Sequence, residues 1–384
     1  MKKTFDFVVV GAGVFGVWIA CWLHRSQVSV LLVDAYGPGN SRASSSGETR
    51  IIRAGYGPDE LYTRFAVRSF ALWREFLTEN KLNLFFPTGV LWLGREGDAH
   101  LEDMYRLLNQ VGVTTDKFSG DEIAERYPQL RFTDVTLGVL ERESGVMLAR
   151  RAVQQIHSEL QNEGVNFVRA EVIAPNGNGK LREIAMSDGQ RASAGTYVFA
   201  CGPWLPKIFP GLLKERLFST RQEVFFFGTP PGNDSFSISR MPAWLHHSHP
   251  DRPYVLPDIE NRGLKIALDT HGPEFDPDTG ERVAGSESIA RVRDYITAHI
   301  PLLANAPIVE TRVCQYENTW NGDFLIDRHP DFENVWLAGG GSGHGFKHGP
   351  AVGEYLAGRI LRNSAEEPRF SLASKRTHQA RAIF

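Results

Sequence analysis

Residues 5–24 read FDFVVVGAGVFGVWIACWLH, and this stretch decides the fold class. The apolar, β-branched residues 5–10 predict a buried strand, and the apolar residues after Gly16 predict a helix. Between them lies a Gly-x-Gly-x-x-Gly pattern: Gly11 allows a tight turn, Gly13 lets backbone approach a pyrophosphate, and Gly16 lets the helix pack on the strand. The sequence therefore predicts a strand, a turn and a helix that bind a dinucleotide.

A second predicted strand supplies the acid that such a unit uses. Residues 28–33 read VSVLLV and lead directly to Asp34, which lies 23 positions after Gly11. A carboxylate at this spacing accepts hydrogen bonds from a ribose. The glycine pattern alone also occurs in ordinary turns, whereas the pattern, its flanking elements and the acid together indicate a dinucleotide site. They do not distinguish FAD from NAD.

The uncharged residues 7–23, preceded by Lys2 and Lys3, also resemble a signal peptide or a membrane anchor. These 17 residues are fewer than the roughly 20 that a spanning helix needs, and their glycines have the spacing of the nucleotide turn. Residues 382–384, Ala-Ile-Phe, match no lipidation or peroxisomal signal. We therefore expect a cytoplasmic protein that does not bind membranes.

Composition excludes several other classes of protein. The 384 residues predict two or three domains, and the formal charge of −3, without a block of like charges, excludes a nucleic-acid partner. Three cysteines are too few for a disulfide framework, which indicates a reducing compartment. Of these, Cys21 and Cys201 are expected in the core. No metal site is predicted.

Later segments predict further parts of the nucleotide domain. The pattern indicates a helix over 150–162, strands over 165–173 and 181–186 joined by an Asn-Gly-Asn-Gly hairpin turn, and a strand over 197–200. A strand over 335–338 leads into the glycine-rich residues 339–345 and a helix from about 350 to 362. The polar residues after Asn363 are predicted to lie on the surface.

Three further motifs carry a resemblance to a known family. They are SSSGETRIIR at 44–53, CQYENT at 314–319 with FLID at 324–327, and GHGFK at 343–347. In these motifs the chain resembles the monomeric sarcosine oxidase and N-methyltryptophan oxidase family, FAD-dependent amine oxidases of the D-amino-acid-oxidase-like superfamily, and the likeness runs nearly end to end. It implies an α/β fold with a discontinuous Rossmann-type FAD-binding domain, residues 1–84, 146–218 and 312–384, plus an antiparallel-sheet substrate domain, residues 85–145 and 219–311.

The resemblance also implies how FAD is held. Cys314 matches a cysteine that forms a thioether with the 8-methyl carbon of the flavin, so covalent FAD is expected; the alternative is a buried cysteine that only packs. Arg50 matches a residue beside the flavin, where its charge favours the anionic reduced ring. The predicted cofactor-binding residues are Gly11, Gly13, Phe15, Gly16, Asp34, Ser45, Ser46, Thr49, Arg50, Val172, Gly202, Trp204, Cys314, Gly341, Gly343, Gly345 and Lys347.

The same family implies a substrate site. Arg53 and Lys347 match a pair that holds the substrate carboxylate, through a two-pronged contact and a point charge. Tyr254 and Tyr316 match residues on the amine side of the pocket, with plain core packing as the alternative for each. The predicted catalytic residues are Lys265, Arg50, Arg53, Lys347, Tyr254, Tyr316 and Asp269.

Lys265 lies in the segment GLKIALD, whose alternation places Lys265 and Asp269 on one strand face. A lysine in a strand is most often a solvated edge charge. By resemblance it lies against the flavin, where an ammonium stabilises the charge that develops when reduced flavin meets oxygen.

Two residues depart from the family pattern. Asp269 and Ser46 stand where sarcosine-oxidising members carry histidines, which indicates a bulkier or more basic amine than sarcosine. The predicted function is oxidation of a secondary or N-alkylated amino acid to an imine by a monomeric enzyme, with oxygen reduced to hydrogen peroxide. The alternatives are a flavin dehydrogenase with another electron acceptor, a non-catalytic flavin-binding subunit and an NAD-linked dehydrogenase.

Overall fold

A computed structural model describes residues 4–378 of the chain. Lys2, Lys3 and the C-terminal tripeptide considered above lie outside the described residues. Within residues 4–378, no helix has both the length and the apolar character required to cross a bilayer.

The strands and helices follow one another along the whole described chain. The strands are β1 Thr4–Val10, β2 Val30–Asp34, β3 Arg50–Ile52, β4 Phe85–Phe86, β5 Val90–Gly94, β6 Thr115–Ser119, β7 Leu137–Glu141, β8 Gly145–Met147, β9 Asn166–Arg169, β10 Ile184–Ala185, β11 Arg191–Phe199, β12 Leu217–Phe227, β13 Ala243–His246, β14 Pro253–Leu256, β15 Leu264–Leu268, β16 Ile308–Thr319, β17 Leu325–Arg328 and β18 Val335–Gly339. The helices are α1 Val14–Arg25, α2 Glu60–Glu79, α3 Ala99–Gln110, α4 Gly120–Arg126, α5 Ala149–Asn162, α6 Leu205–Ile208, α7 Pro210–Leu213, α8 Ser286–His299 and α9 Gly349–Arg362.

The first sheet is the predicted nucleotide-binding sheet. Its strand order is β17-β18-β11-β1-β2-β9, with β10 paired to β11. β1 runs parallel to both β2 and β11, and β18 runs parallel to β11, so these four strands end at the same edge. Val8 and Val9 of β1 are fully buried, as expected for a parallel strand covered on both faces.

Helix α1 covers one face of this sheet and packs against α9 and α5. Trp18 of α1 meets Trp73 and Phe76 of α2 edge-on, with ring centroids 5.1 and 5.4 Å apart. This apolar layer holds α1 in place. The first turn of α1 faces the edge of the sheet where the parallel strands end.

The second sheet is nearly all antiparallel. Its strand order is β16-β12-β15-β14-β13-β5-β7-β6, and only the β13–β5 pair is parallel. The long strands β12 and β16 pair from Leu217 opposite Thr319 to Phe227 opposite Ile308. The strands β3, β8 and β4 form a small third sheet, in the order β3-β8-β4. The predicted α/β class, with one mostly parallel and one antiparallel sheet, is confirmed.

Three sequence predictions differ from the structure. The hairpin between 165–173 and 181–186 is reduced to one antiparallel bridge, Val172 to Met186, because β9 pairs with β2 and β10 with β11. The residues after Asn363 are not simply surface, since Phe370 is buried. Cys201 is not a core residue: it is only partly buried and lines the cavity described below.

Phe370 is buried because its neighbour anchors the segment to the body of the protein. The guanidinium of Arg369 donates to Asp59 and to Asp323, each at 2.7 Å, and the Phe370 ring packs against Phe324. The polar composition of this segment therefore reflects an ion-pair network rather than full exposure.

We expect Gly353→Ala to lower the free energy of unfolding by about 1–3 kcal/mol, although alanine is the better helix former. A Cβ at Gly353 in α9 would lie 2.5 Å from the backbone oxygen of Trp18, so α9 and α1 would have to separate. Chemical denaturation measures the effect. Gly211→Ala is the control, because a Cβ at Gly211 meets no atom within 4 Å; equal stability of the two variants would contradict the packing argument.

Candidate active site

A cavity of about 500 Å³ opens where the parallel strands end. Of the predicted cofactor-binding residues, its walls include Gly11, Gly13, Phe15, Asp34, Ser45, Arg50, Val172, Gly202, Trp204, Gly341, Gly343 and Gly345. The other predicted members are buried close to these walls: Gly16, Ser46, Thr49, Cys314 and Lys347. The structure therefore brings segments from both ends of the chain to one cavity.

The glycine turn forms one end of this cavity. Gly11 has φ +105°, and a Cβ there would lie 2.3 Å from the Ala200 oxygen. A Cβ at Gly16 would lie 1.7 Å from the oxygen of Gly11, so the strand and the helix meet only because both residues are glycine. α1 then begins at Val14 with no acid in its first turn, and its positive end suits an anion such as a pyrophosphate.

Asp34 lies beside this turn at the end of β2. Its carboxylate accepts hydrogen bonds from the backbone N–H groups of Ala12 at 2.7 Å, Tyr36 at 2.8 Å and Gly37 at 2.7 Å. Because a carboxylate has about four acceptor positions, Asp34 holds the turn and still has capacity for a ribose hydroxyl.

Cys314 and Arg50 lie together at another part of the wall. The guanidinium of Arg50 donates to the Ser44 oxygen at 2.8 Å and to the Cys314 Sγ at 3.5 Å. Arg50 and Ser44 line the cavity, and Cys314 is buried directly behind them. Only these neighbouring residues separate Cys314 from the cavity, and the cation next to its Sγ is Arg50.

Lys265 is buried, with 1% of its surface exposed, on β15 between β12 and β14. Its Nζ donates to the Gly47 oxygen at 3.1 Å and to the backbone oxygen and Oγ1 of Thr49 at 2.6 and 3.1 Å. Burial, and then the charge of Arg50, lower the pKa of Lys265 well below its usual value. The reading of this lysine as a solvated edge charge is therefore excluded.

Arg53 and Lys347 both lie close to one aromatic ring. The guanidinium carbon of Arg53 lies 4.8 Å from the centroid of Tyr56, and the Nζ of Lys347 lies 4.9 Å from it. Lys347 also donates to the His344 oxygen at 3.1 Å, and Arg53 to that of Gly55. Burial, and then Arg53, lower the pKa of Lys347. An anion bound between these two buried cations would stabilise both charges.

A second cavity, of about 350 Å³, has Arg53 and Asp269 in its wall. Its other lining residues are Trp92, Leu245, His246, His247, Pro250, Arg252, Thr270 and His271. The Tyr316 hydroxyl, which belongs to the first cavity, donates to Asp269 at 3.0 Å.

Tyr254 is half-buried against Phe226 and Ala267. Burial raises the pKa of Tyr254 to about 12.

Sequence reasoning missed the group that positions Arg53. Glu141 is fully buried, and its carboxylate accepts from the N–H groups of Ala54 at 2.7 Å and Gly55 at 3.0 Å, and from the Trp92 indole at 2.9 Å. It thereby fixes the two residues that follow Arg53 and the Trp92 ring that the Arg53 guanidinium contacts. Glu141 is 87 positions from Ala54, so no local pattern identifies it.

Three observations indicate that the residues of this cavity fit FAD. The glycine turn leaves no room for side chains near the α1 N-terminus. The cavity continues from Asp34 past Arg50 to Tyr316. The buried cations beside it, Lys265 among them, contact neutral oxygens, and among the described residues no carboxylate forms an ion pair with them. An extended dinucleotide with a ring system that gains negative charge matches this arrangement.

Comparisons with known proteins agree with the geometry. The family model described as DAO, FAD dependent oxidoreductase, matches residues 6–359. A monomeric sarcosine oxidase of Bacillus sp. (strain B-0618) is 32% identical over 375 residues, covering 95% of this chain and 94% of that protein. An N-methyl-L-tryptophan oxidase of Salmonella newport (strain SL254) is 28% identical, covering 96% and 97%.

A solved structure supports the fold itself. L-proline dehydrogenase from P. horikoshii superposes with a TM-score of 0.84 at 22% identity, covering 97% of this chain and 98% of that one. The expected resemblance to sarcosine and N-methyltryptophan oxidases is thus confirmed. With its glycine turn, its two-sheet architecture and this end-to-end similarity, the chain belongs to the DAO family of FAD-dependent oxidoreductases.

Proposed function

We propose that this FAD-dependent oxidoreductase oxidises the C–N bond of a secondary or N-alkylated amino acid to an imine and reduces oxygen to hydrogen peroxide. The observation that carries the proposal is the pair of buried cations, Arg53 and Lys347, whose charged groups lie 4.8 and 4.9 Å from the centroid of the Tyr56 ring. The sarcosine and N-methyltryptophan oxidases among its relatives support the same substrate class. FAD, when bound, supplies the site that accepts the substrate's electron pair.

The substrate carboxylate binds between Arg53 and Lys347. The guanidinium offers parallel donors, while the ammonium offers a compact charge, so together they orient a planar anion. Because both groups are buried, water competes weakly for the carboxylate and the attraction is strong. The Glu141 carboxylate keeps the Arg53 segment in place through the N–H groups of Ala54 and Gly55.

The rest of the substrate extends toward Asp269. The Tyr316 hydroxyl donates to the Asp269 carboxylate, and Asp269 lines the second cavity of about 350 Å³. A negative group here disfavours a second acid and favours a basic substituent, while the free volume favours a larger one. We therefore propose an amine bulkier or more basic than sarcosine.

Lys265 supplies the positive charge for the reaction with oxygen. Three oxygens, from Gly47 and Thr49, fix its ammonium at one point without neutralising it. A preorganised charge in a dry site stabilises a developing anion more than a mobile charge in water does. Cys314, which lies next to Arg50, would hold FAD through a thioether. The Sγ–carbon bond would replace one S–H bond and one C–H bond of the 8-methyl group, with both hydrogens leaving as protons; the electron pair would pass to the flavin and then to oxygen.

We further propose that the protein is a cytoplasmic monomer, and that it divides into an FAD domain and a substrate domain at the residues given above. Three of those domain boundaries fall inside strands, namely β8, β12 and β16.

Acid precipitation of the purified yellow enzyme tests the thioether. We expect the colour in the protein pellet, because the Cys314 bond survives denaturation, and we expect Cys314→Ser to release it to the supernatant. Cys201→Ser, at another cysteine near the FAD cavity, should behave as wild type. Colour in the wild-type supernatant would count against the linkage.

Lys347→Met tests the carboxylate site. We expect the KM for N-methyl amino acids to rise roughly 10- to 100-fold, since a charge-assisted hydrogen bond contributes about 1.5–3 kcal/mol. The KM for the same amines without a carboxylate should not change. Lys117→Met, at an exposed lysine, is the control. Equal increases for both substrate types would contradict the assignment.

Lys265→Met tests the oxygen step. We expect reoxidation of the reduced enzyme by oxygen to slow roughly 100-fold or more, with anaerobic reduction by the amine much less affected. In the wild type the ammonium is lost as pH rises through its lowered pKa, so the oxygen rate should fall with rising pH. Lys265→Arg should retain part of the rate. Stopped-flow absorbance distinguishes these outcomes; slow reoxidation of the wild type would instead indicate a dehydrogenase.

A further inference from the structure

Glu317 is a buried acid of the cofactor cavity that the proposed function does not use. It lies on β16 after Tyr316, lines the 500 Å³ cavity and is 6% exposed. One carboxyl oxygen, Oε2, accepts from the Gly340 N–H at 2.9 Å. The other, Oε1, is buried with no hydrogen-bond partner among the described residues. Such an atom is costly to leave without a partner, which indicates a ligand or a proton.

Within residues 4–378, no cation compensates the charge of Glu317. Of the titratable groups near it, Tyr316 precedes it on β16 and Cys201 lies in the segment after β11, where Glu317 raises the thiol pKa after burial and Asp34. The partner strand β12 presents Ser219, and the glycine-rich segment presents backbone only. Arg50, which lines the same cavity, donates instead to Ser44 and Cys314. Burial therefore raises the pKa of Glu317 to about 7, although the backbone N–H groups of Gly340 and Gly341 oppose the shift.

Glu317 also holds the glycine-rich segment that borders the cavity. Its side chain accepts from Gly340, and its backbone oxygen accepts from Ser342 at 2.7 Å. A Cβ at Gly339 would lie 2.7 Å from Oε1, so the glycine allows the carboxyl group to approach this closely. The acid is thus fixed next to the residues Gly341, Gly343 and Gly345 of the cavity wall.

We propose that Glu317 is the proton-binding residue of the cofactor site: it takes up one proton when bound FAD gains negative charge on two-electron reduction, and releases it on reoxidation. The inference rests on the proposed function for its electron donor and acceptor. An amine that becomes an imine loses two electrons and two protons. FAD retains both electrons and one proton, and Glu317 binds a second proton. Reduction of oxygen to hydrogen peroxide then consumes both electrons and both protons.

The coupling is reciprocal because both charges share one dry cavity. Negative charge on FAD makes an ionised Glu317 less favourable, and a protonated Glu317 makes reduction more favourable. At low pH the acid is protonated in both redox states and has no effect. Around neutral pH and above, reduction draws one extra proton onto Glu317.

The test is the midpoint potential of bound FAD as a function of pH, measured with dithionite and a redox dye, without amine or oxygen. Between about pH 8 and pH 9, where Glu317 is ionised in the oxidised enzyme, we expect the wild-type potential to fall about twice as steeply with pH as that of Glu317→Gln, since two protons rather than one accompany two electrons. Below about pH 6 the two slopes should converge, because the acid is then protonated in both redox states. The glutamine retains an acceptor for Gly340. Glu171→Gln, at an exposed carboxylate of the same cavity, should keep the wild-type slope.

Equal slopes for the wild type and Glu317→Gln would overturn the proposal. Should Glu317→Gln fail to bind FAD, infrared difference spectra of the wild type decide the question. Reduction at pH 8 must then produce the C=O band of a newly protonated carboxylic acid, and its absence would refute the role. Loss of amine oxidation with these results intact would instead refute the proposed function.

Discussion

The burial of cations without carboxylate partners is the constraint on which the site depends. Arg50, Arg53, Lys265 and Lys347 contact backbone oxygens, aromatic rings, a threonine hydroxyl and a thiol. Desolvation of such charges is unfavourable unless an opposite charge arrives, and it lowers the pKa of both lysines. The folded protein therefore retains an unfavourable electrostatic arrangement that an anionic substrate and a reduced cofactor relieve. Binding and reduction become favourable for the same reason.

The two large sheets contribute different residues to the site. The parallel sheet supplies the glycine turn and Asp34, which are local features at the end of two strands. The antiparallel sheet supplies Lys265 and, through β16, Cys314, Tyr316 and Glu317. Carbonyl groups of the segment 44–55 accept hydrogen bonds from three of the cations, Arg50, Arg53 and Lys265. Lys347 donates instead to the backbone oxygen of His344.

Local sequence patterns predicted the part of the site that depends on local structure. The Gly11 turn follows from a strand, a helix and glycines within a few positions. The resemblance singled out Arg53 and Lys347, and the structure buries both near the Tyr56 ring, while their binding of a carboxylate stays a prediction. Glu141 and Glu317 were missed because their roles arise from burial and from contacts with residues far along the chain. Phe370 was assigned to the surface because composition does not show that Arg369 forms ion pairs with distant acids.

The most direct test of this account is calorimetric titration of the FAD-containing enzyme with methoxyacetate, a carboxylate that resembles sarcosine but has no amine to oxidise. The account predicts binding that perturbs the flavin absorbance and takes up protons at alkaline pH, because the anion raises the pKa of buried Lys347. A neutral ether of the same size should not bind. Binding without proton uptake and with equal affinity for the neutral ether would contradict the central claim.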